Sequence, residues 1–188
     1  LYKDGLQRDQ FVPFIKILKS NCYQKELTID EDYRLSKNTS LERFLSPIDK
    51  TTNFSFNKYF RKVTKGRKKT SKTLEIKGRT LVLENFYEKI IKFEFDELCN
   101  RNLGSEDYIQ IAENCEFIFI KNLPNFNENN SNQQQRFITL IDIIYEKRIP
   151  LMITSQVDLN SIKSSKNIAD RFKRTISRLY ELTSINYN

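Results

Sequence analysis

Apolar positions along the chain change period several times, and each change marks an element. Near the N-terminus Leu6, Phe11, Phe14, Ile15 and Leu18 fall on one helical stripe, which predicts a helix with Asp9 near its N-cap. Pro13 fits such a helix only close to its start, because proline has no N–H to donate. "KELTID" then reads as a short strand followed by "EDYRL". Residues 35–72 are rich in Ser, Thr, Asn and Lys, with a short Phe/Tyr-bearing helix candidate around 56–62, and read as an insertion or linker. "TLEIKGRTLVLEN" alternates about Lys77-Gly78 and predicts a hairpin. "KIIKFEF" places Ile91, Phe93 and Phe95 on one face, a strand running into the short helix "DELCN". Past Gly104, Ser105 can cap a helix carrying Tyr108, Ile109 and Ala112.

The clearest unit follows. "EFIFI" is a buried strand, "NLPNFNENNSN" a polar loop, "QQQRFITLIDIIYEKR" an amphipathic helix and "PLMITS" a second buried strand. That order is the pattern of a parallel βαβ crossover. A last helix, about 167–183, puts Ile168, Phe172, Ile176 and Leu179 on one stripe, with Arg171, Arg174 and Arg178 around its edge. The class is therefore α/β, with a β-hairpin and a small parallel sheet.

Composition narrows the chemistry. The 188 residues, 38% hydrophobic and 30% charged, suit one domain or one and a half small ones. No apolar run approaches the roughly 18 residues of a membrane-spanning helix. There is no histidine, which removes Ser-His-Asp and Cys-His triads and His-ligated zinc. Cys22, Cys99 and Cys115 lack metal-ligand spacing and read as thiols in a reducing compartment. Between Lys58 and Lys72 lie eight Lys or Arg and no acid, as many as the whole net charge of +8, so the rest of the chain is neutral. Such a run can grip nucleic acid or an anionic membrane by counterion release. Tyr59 and Phe60 lie within it, but two aromatics do not make a stacking platform, and a solvated loop is the simpler reading.

Phosphate chemistry is equally constrained. Neither GxxxxGK[ST] nor GxGxxG occurs, and the strand "FIFI" ends in Lys121-Asn122 where a P-loop ATPase would carry Asp-Glu. Ser155 and Gln156 can read a phosphate or simply begin a loop. Arg8, in a polar turn before the first helix, can offer its guanidinium to a phosphate on a neighbouring subunit or pair with Asp4 or Asp9, and spacing favours the pairing. Arg174 and Arg178 lie four residues apart and repel unless an anion sits between them; the alternative is that they fan out to Asp170 and Glu181.

Seven segments in order carry more than their spacing does: "LYKDGLQRDQFVPFI", "DYRL", "KGRTL", "FEFDELCNRNLGSEDYIQIAE", "IFIKNLPNF", "RFITLIDIIYEKRIPLMITS" and "RTISRLYEL". The series resembles the C-terminal part of the ZapE family of AAA+ ATPases, bacterial cell-division proteins with mitochondrial lactation-elevated relatives. It covers residues 1–34 and 74–187, and 35–72 depart from it. The resemblance implies three parts: 1–34 as the C-terminal end of an AAA+ nucleotide-binding core, 35–73 as a basic polar insertion or linker, and 74–188 as a C-terminal α/β domain with a closing helix. It implies a fragment cut after the sensor strand, with ATP and Mg2+ bound mainly by residues outside this chain. It puts Arg8 at the arginine finger, acting in trans in a homo-oligomer, and Arg174, with Arg178 as second choice, at the nucleotide. It also implies ATP hydrolysis coupled to remodelling a protein client such as FtsZ. The abundance of Asn, Lys and Ile suggests an AT-rich genome, hence a bacterial cytoplasmic protein near the inner membrane or division site, where peripheral membrane association is open, with a mitochondrial location as the alternative. Two other readings stay open: a truncated partner-binding fragment without catalysis, and a nucleic-acid-binding module built on 58–72.

Overall fold

The computed structural model describes residues 8–23, 25 and 43–184, leaving the side chains of Arg8 and Gln10 outside that description. The chain divides into two units, Leu1–Asp32 and Tyr33–Asn188. In the first, helix α1 (Arg8–Asn21) follows the predicted stripe. Pro13 lies inside it and leaves one turn without its backbone hydrogen bond. Near the end of the helix, the Ser20 hydroxyl and the Asn21 amide each donate to the Ile17 carbonyl at 2.9 Å, answering a carbonyl of the final turns. Leu6, the "EDYRL" segment and, apart from Lys25, the strand expected over 25–30 lie outside the described residues.

The second unit is built on one mixed sheet of six strands: β1 (Phe44–Leu45), β2 (Thr70–Ile76), β3 (Arg79–Tyr87), β4 (Ile90–Glu94), β5 (Phe117–Leu123) and β6 (Leu151–Ser155). Their order is β1-β6-β5-β4-β3-β2. From β1 to β4 neighbours run parallel, while β3 pairs antiparallel with both β2 and β4. The hairpin and the βαβ unit read separately in the sequence thus share a single sheet. Lys77 (φ 45°) and Gly78 (φ 81°) both take the left-handed conformation that a two-residue turn matching strand twist requires.

Among the described residues five α-helices accompany this sheet: α2 (Lys50–Val63), α3 (Phe95–Cys99), α4 (Ser105–Asn114), α5 (Ser131–Glu146) and α6 (Ala169–Ser184). The central parallel strands are covered on both faces, which is why their sequences are nearly unbroken apolar runs. Pleating sorts the residues. Ile91, Phe93, Ile118, Ile120 and Ile153 join the large core with Leu98, Tyr108, Phe137 and Leu179 from α3 to α6. Ile90, Phe117, Phe119 and Met152 turn to the opposite face and pack on Phe56 and Phe60 of α2. The expected cap differs in detail: Gly104 is the N-cap of α4, and Asp107, not Ser105, answers its backbone N–H, at 2.7 Å.

The stretch read as an insertion or linker, 35–73, carries regular structure, including the helix candidate around 56–62. Its described part supplies an edge strand, a 14-residue helix that covers one face of the sheet, and the start of β2. Asp49 caps α2 reciprocally with Thr52, the backbone of Thr52 donating to the Asp49 carboxylate at 2.7 Å and that of Asp49 to the Thr52 hydroxyl at 2.9 Å. The Thr52 backbone N–H, joined by its hydroxyl and the Thr51 N–H, holds the Asp49 carboxyl below its ordinary pKa. Arg43 is buried; its Nε donates to the Thr183 carbonyl at 3.0 Å and its Nη2 to that of Leu182 at 3.4 Å. A cation from the supposed linker therefore closes the negative end of the last helix, 140 residues away.

Candidate functional site

Three places were singled out in the sequence for phosphate chemistry: the start of α1, the carboxyl ends of the parallel strands, and the arginines of the last helix. Arg8 is the first residue of α1, and its side chain lies outside the description.

At the strand ends, β4 finishes in Glu94 and β5 passes through Lys121 and Asn122. The carboxylate there is already occupied: Glu94 accepts from the Asn122 amide at 2.7 Å and lies 3.6 Å from Lys121 Nζ. Asn122 has φ 62°, and its backbone N–H donates to the Thr154 hydroxyl at 3.0 Å. Ser155 is buried and its hydroxyl accepts the Val157 N–H at 3.4 Å, while the Gln156 side chain accepts the Asn125 N–H at 3.3 Å. Both residues therefore shape the loop after β6. Among the described residues no group of three or more His, Cys, Asp or Glu is placed to hold a metal ion. Cys99 and Cys115 are buried, and burial pushes both thiols up, Cys115 to about 12, so neither is a thiolate nucleophile near neutrality.

The last helix separates its two arginines. Arg178 is engaged with α5: its guanidinium is ion-paired to Asp142 and lies 5.0 Å above the Tyr145 ring. The Tyr145 hydroxyl in turn donates to Glu181 at 2.6 Å. The pairing expected for Arg178, with Glu181, is thus replaced by one with Asp142, because α5 packs along α6 and brings in a carboxylate from 36 residues away. Asp170, the other expected partner, is taken by Lys173 at 3.0 Å. Arg174, one turn earlier, is exposed and has no ion pair among the described residues. Against this network lies a cleft of about 500 Å³ lined by Tyr145, Glu146, Arg148, Arg178, Glu181 and Leu182. Arg174 is thus a cation free to meet an anion, and Arg178 a clamp that fixes the helix carrying it.

The clamp makes a prediction. Asp142→Ala leaves the mostly buried Arg178 guanidinium without its carboxylate, and should lower stability by about 2 kcal/mol, between the values for exposed and fully buried pairs. Urea unfolding measures it; a loss under about 0.5 kcal/mol, the range of ordinary surface changes, would mean the pair holds nothing.

Comparison with known proteins gives a consistent result. The model of the AFG1-like ATPase family matches residues 1–188. Cell division protein ZapE of Escherichia coli (strain K12) is 29% identical over 187 residues, covering 100% of this chain and 50% of that protein. Lactation elevated protein 1 homolog B of Danio rerio is 28% identical over 223 residues, covering 100% of this chain and 44% of its own length. The chain thus spans about half the length, or less, of these curated relatives. No solved structure matches.

Proposed function

The chain belongs to the AFG1-like ATPase family, and from that premise we propose that it is the C-terminal part of an AAA+ ATPase that hydrolyses ATP to remodel a protein partner. The observation that carries this is the match to an ATPase family over all 188 residues. In this reading residues 1–34 end the nucleotide-binding core, 74–188 form the C-terminal α/β domain, and ATP and Mg2+ are held mainly by residues outside this chain. The working form is a ring of identical subunits, in which Arg8 of one subunit reaches the ATP of the next. Arg174 is favoured over Arg178 as the late nucleotide contact, since Arg178 is committed to Asp142 while Arg174 is not.

The resemblance to ZapE, named as a cell division protein, makes the division tubulin FtsZ the expected client and the bacterial cytoplasm the expected location. Sedimentation of FtsZ polymers tests this. The intact ATPase should lower the pelleted fraction with ATP and not with a non-hydrolysable analogue. Equal pellets with both nucleotides, alongside measurable ATP turnover, would remove FtsZ as the client and leave the ATPase.

A further inference from the structure

We propose that the outward face of α2 and the turn after it form a docking surface for an anionic phospholipid membrane, with Phe54 entering the interface between flanking cations. On the helix, Phe54 shares a face with Lys50, Lys58 and Arg61 at separations of four, four and seven residues, and Lys65 lies in the turn that follows. All five are exposed, as is Lys62. Phe54 is 67% exposed, although Phe56 and Phe60 of the same helix are buried. None of the five cations has an ion pair among the described residues, and within the basic run Arg67 alone does, with Glu88 at 3.5 Å.

A further cation lies on the sheet side of α2. Lys92 of β4 lies over the Phe60 ring at 4.7 Å, at the C-terminal end of α2. Burial, then the neighbouring charge of Lys121, and further on that of Lys69, hold Lys92 below its ordinary pKa. Glu94 and Glu97 oppose that lowering, and Lys121 is itself ion-paired to Glu94, so the unpaired cations of α2 carry the attraction to an anionic surface.

A membrane suits this face better than a nucleic acid does. The two aromatics within the basic run pack on the sheet: Tyr59 on Phe117 and Phe119 at 6.1 and 6.2 Å, and Phe60 on Phe119 at 5.0 Å. What remains outside is a single phenyl ring on a convex helix. That offers no platform for successive bases, but it is the combination of apolar tip and surrounding cations that binds the lipid headgroup region. The proposal is independent of the ATPase reading, since docking needs neither nucleotide nor turnover.

Flotation of the full chain with vesicles tests it. Binding is expected to vesicles of phosphatidylglycerol and phosphatidylcholine, not to phosphatidylcholine alone, and should fall as salt is raised. The combined variant Lys58→Gln, Arg61→Gln, Lys62→Gln should lose roughly 100-fold in partition, at about fivefold per cation. Phe54→Ser should lose about tenfold with its salt dependence unchanged. All four positions are exposed, so circular dichroism should be unaltered. Undiminished binding by the triple variant, or full binding by Phe54→Ser, would overturn the proposal. So would tighter binding to an oligonucleotide that Phe54→Ser leaves intact, which would assign the surface to nucleic acid.

Discussion

Arg8→Ala in the intact ATPase is expected to lower ATP turnover by about 10³-fold while leaving ATP affinity within a few-fold of wild type. The asymmetry follows from what a guanidinium from a neighbour does. It meets the charge that develops on the transferred phosphoryl oxygens, which is larger in the transition state than in bound ATP, so its loss falls on turnover more than on binding. Arg8→Lys should restore little, because an ammonium cannot present the planar fork that meets two oxygens together. Mixing separates a finger in trans from a residue serving its own subunit. If each arginine completes the adjacent site, Arg8→Ala subunits silence wild-type neighbours, and activity falls faster than the wild-type fraction. Activity proportional to that fraction would place Arg8 in its own subunit's site, and normal turnover by the pure variant would end its assignment altogether. Under the same reading Arg174→Ala should weaken nucleotide binding, whereas Arg178→Met should show itself mainly as lost stability, given the contacts of Arg178 with Asp142 and Tyr145.

How much of this was legible in the sequence depended on whether the signal was local. The hairpin about Lys77-Gly78 and the crossover from β5 through α5 to β6 could be read because their periodicity, turn residues and lengths are all contained in short windows. β1 was not readable: two residues carry no period, and Phe44 and Leu45 become a strand only because β6 offers them a free edge. α2 was legible only in part, as the helix candidate around 56–62 inside the longer Lys50–Val63, because its surface obscured the rest. Its exposed cations dominate the composition, and Phe56 and Phe60 bury themselves against strand residues whose outward half is invisible in a run such as Phe117-Ile118-Phe119-Ile120. The Arg178 partner was misjudged for a related reason, since helix spacing ranks neighbours on the same helix and not a carboxylate supplied by another. Arg43 had no local signal at all; its role exists only where the ends of distant elements meet.

Phe119→Ala is expected to cost about 4 kcal/mol of stability, within the range for deleting a fully buried ring. The site allows little relaxation. Phe119 stacks on Phe117 at 4.5 Å, meets Phe56 and Phe60 edge-on at 5.5 and 5.0 Å and lies 6.2 Å from Tyr59, so its removal takes the shared wall from four rings at once. The cavity would open between the sheet and α2, the layer that sequence composition alone assigns to a linker. A linker would contribute nothing to the cooperative transition, and Phe119→Ala would then behave like a surface change, well under 1 kcal/mol. A loss near 4 kcal/mol in one urea transition, with Phe54→Ser unchanged in stability, would instead establish that α2 folds with the sheet through its inner face and leaves its outer face free. A transition that splits in two for Phe119→Ala would mean that α2 and the edge strand come away while the larger core on the other face holds. In either case the inner rings set the strength of the attachment, because among the described residues the cations of the outer face have no ion pairs that would fasten them to the sheet.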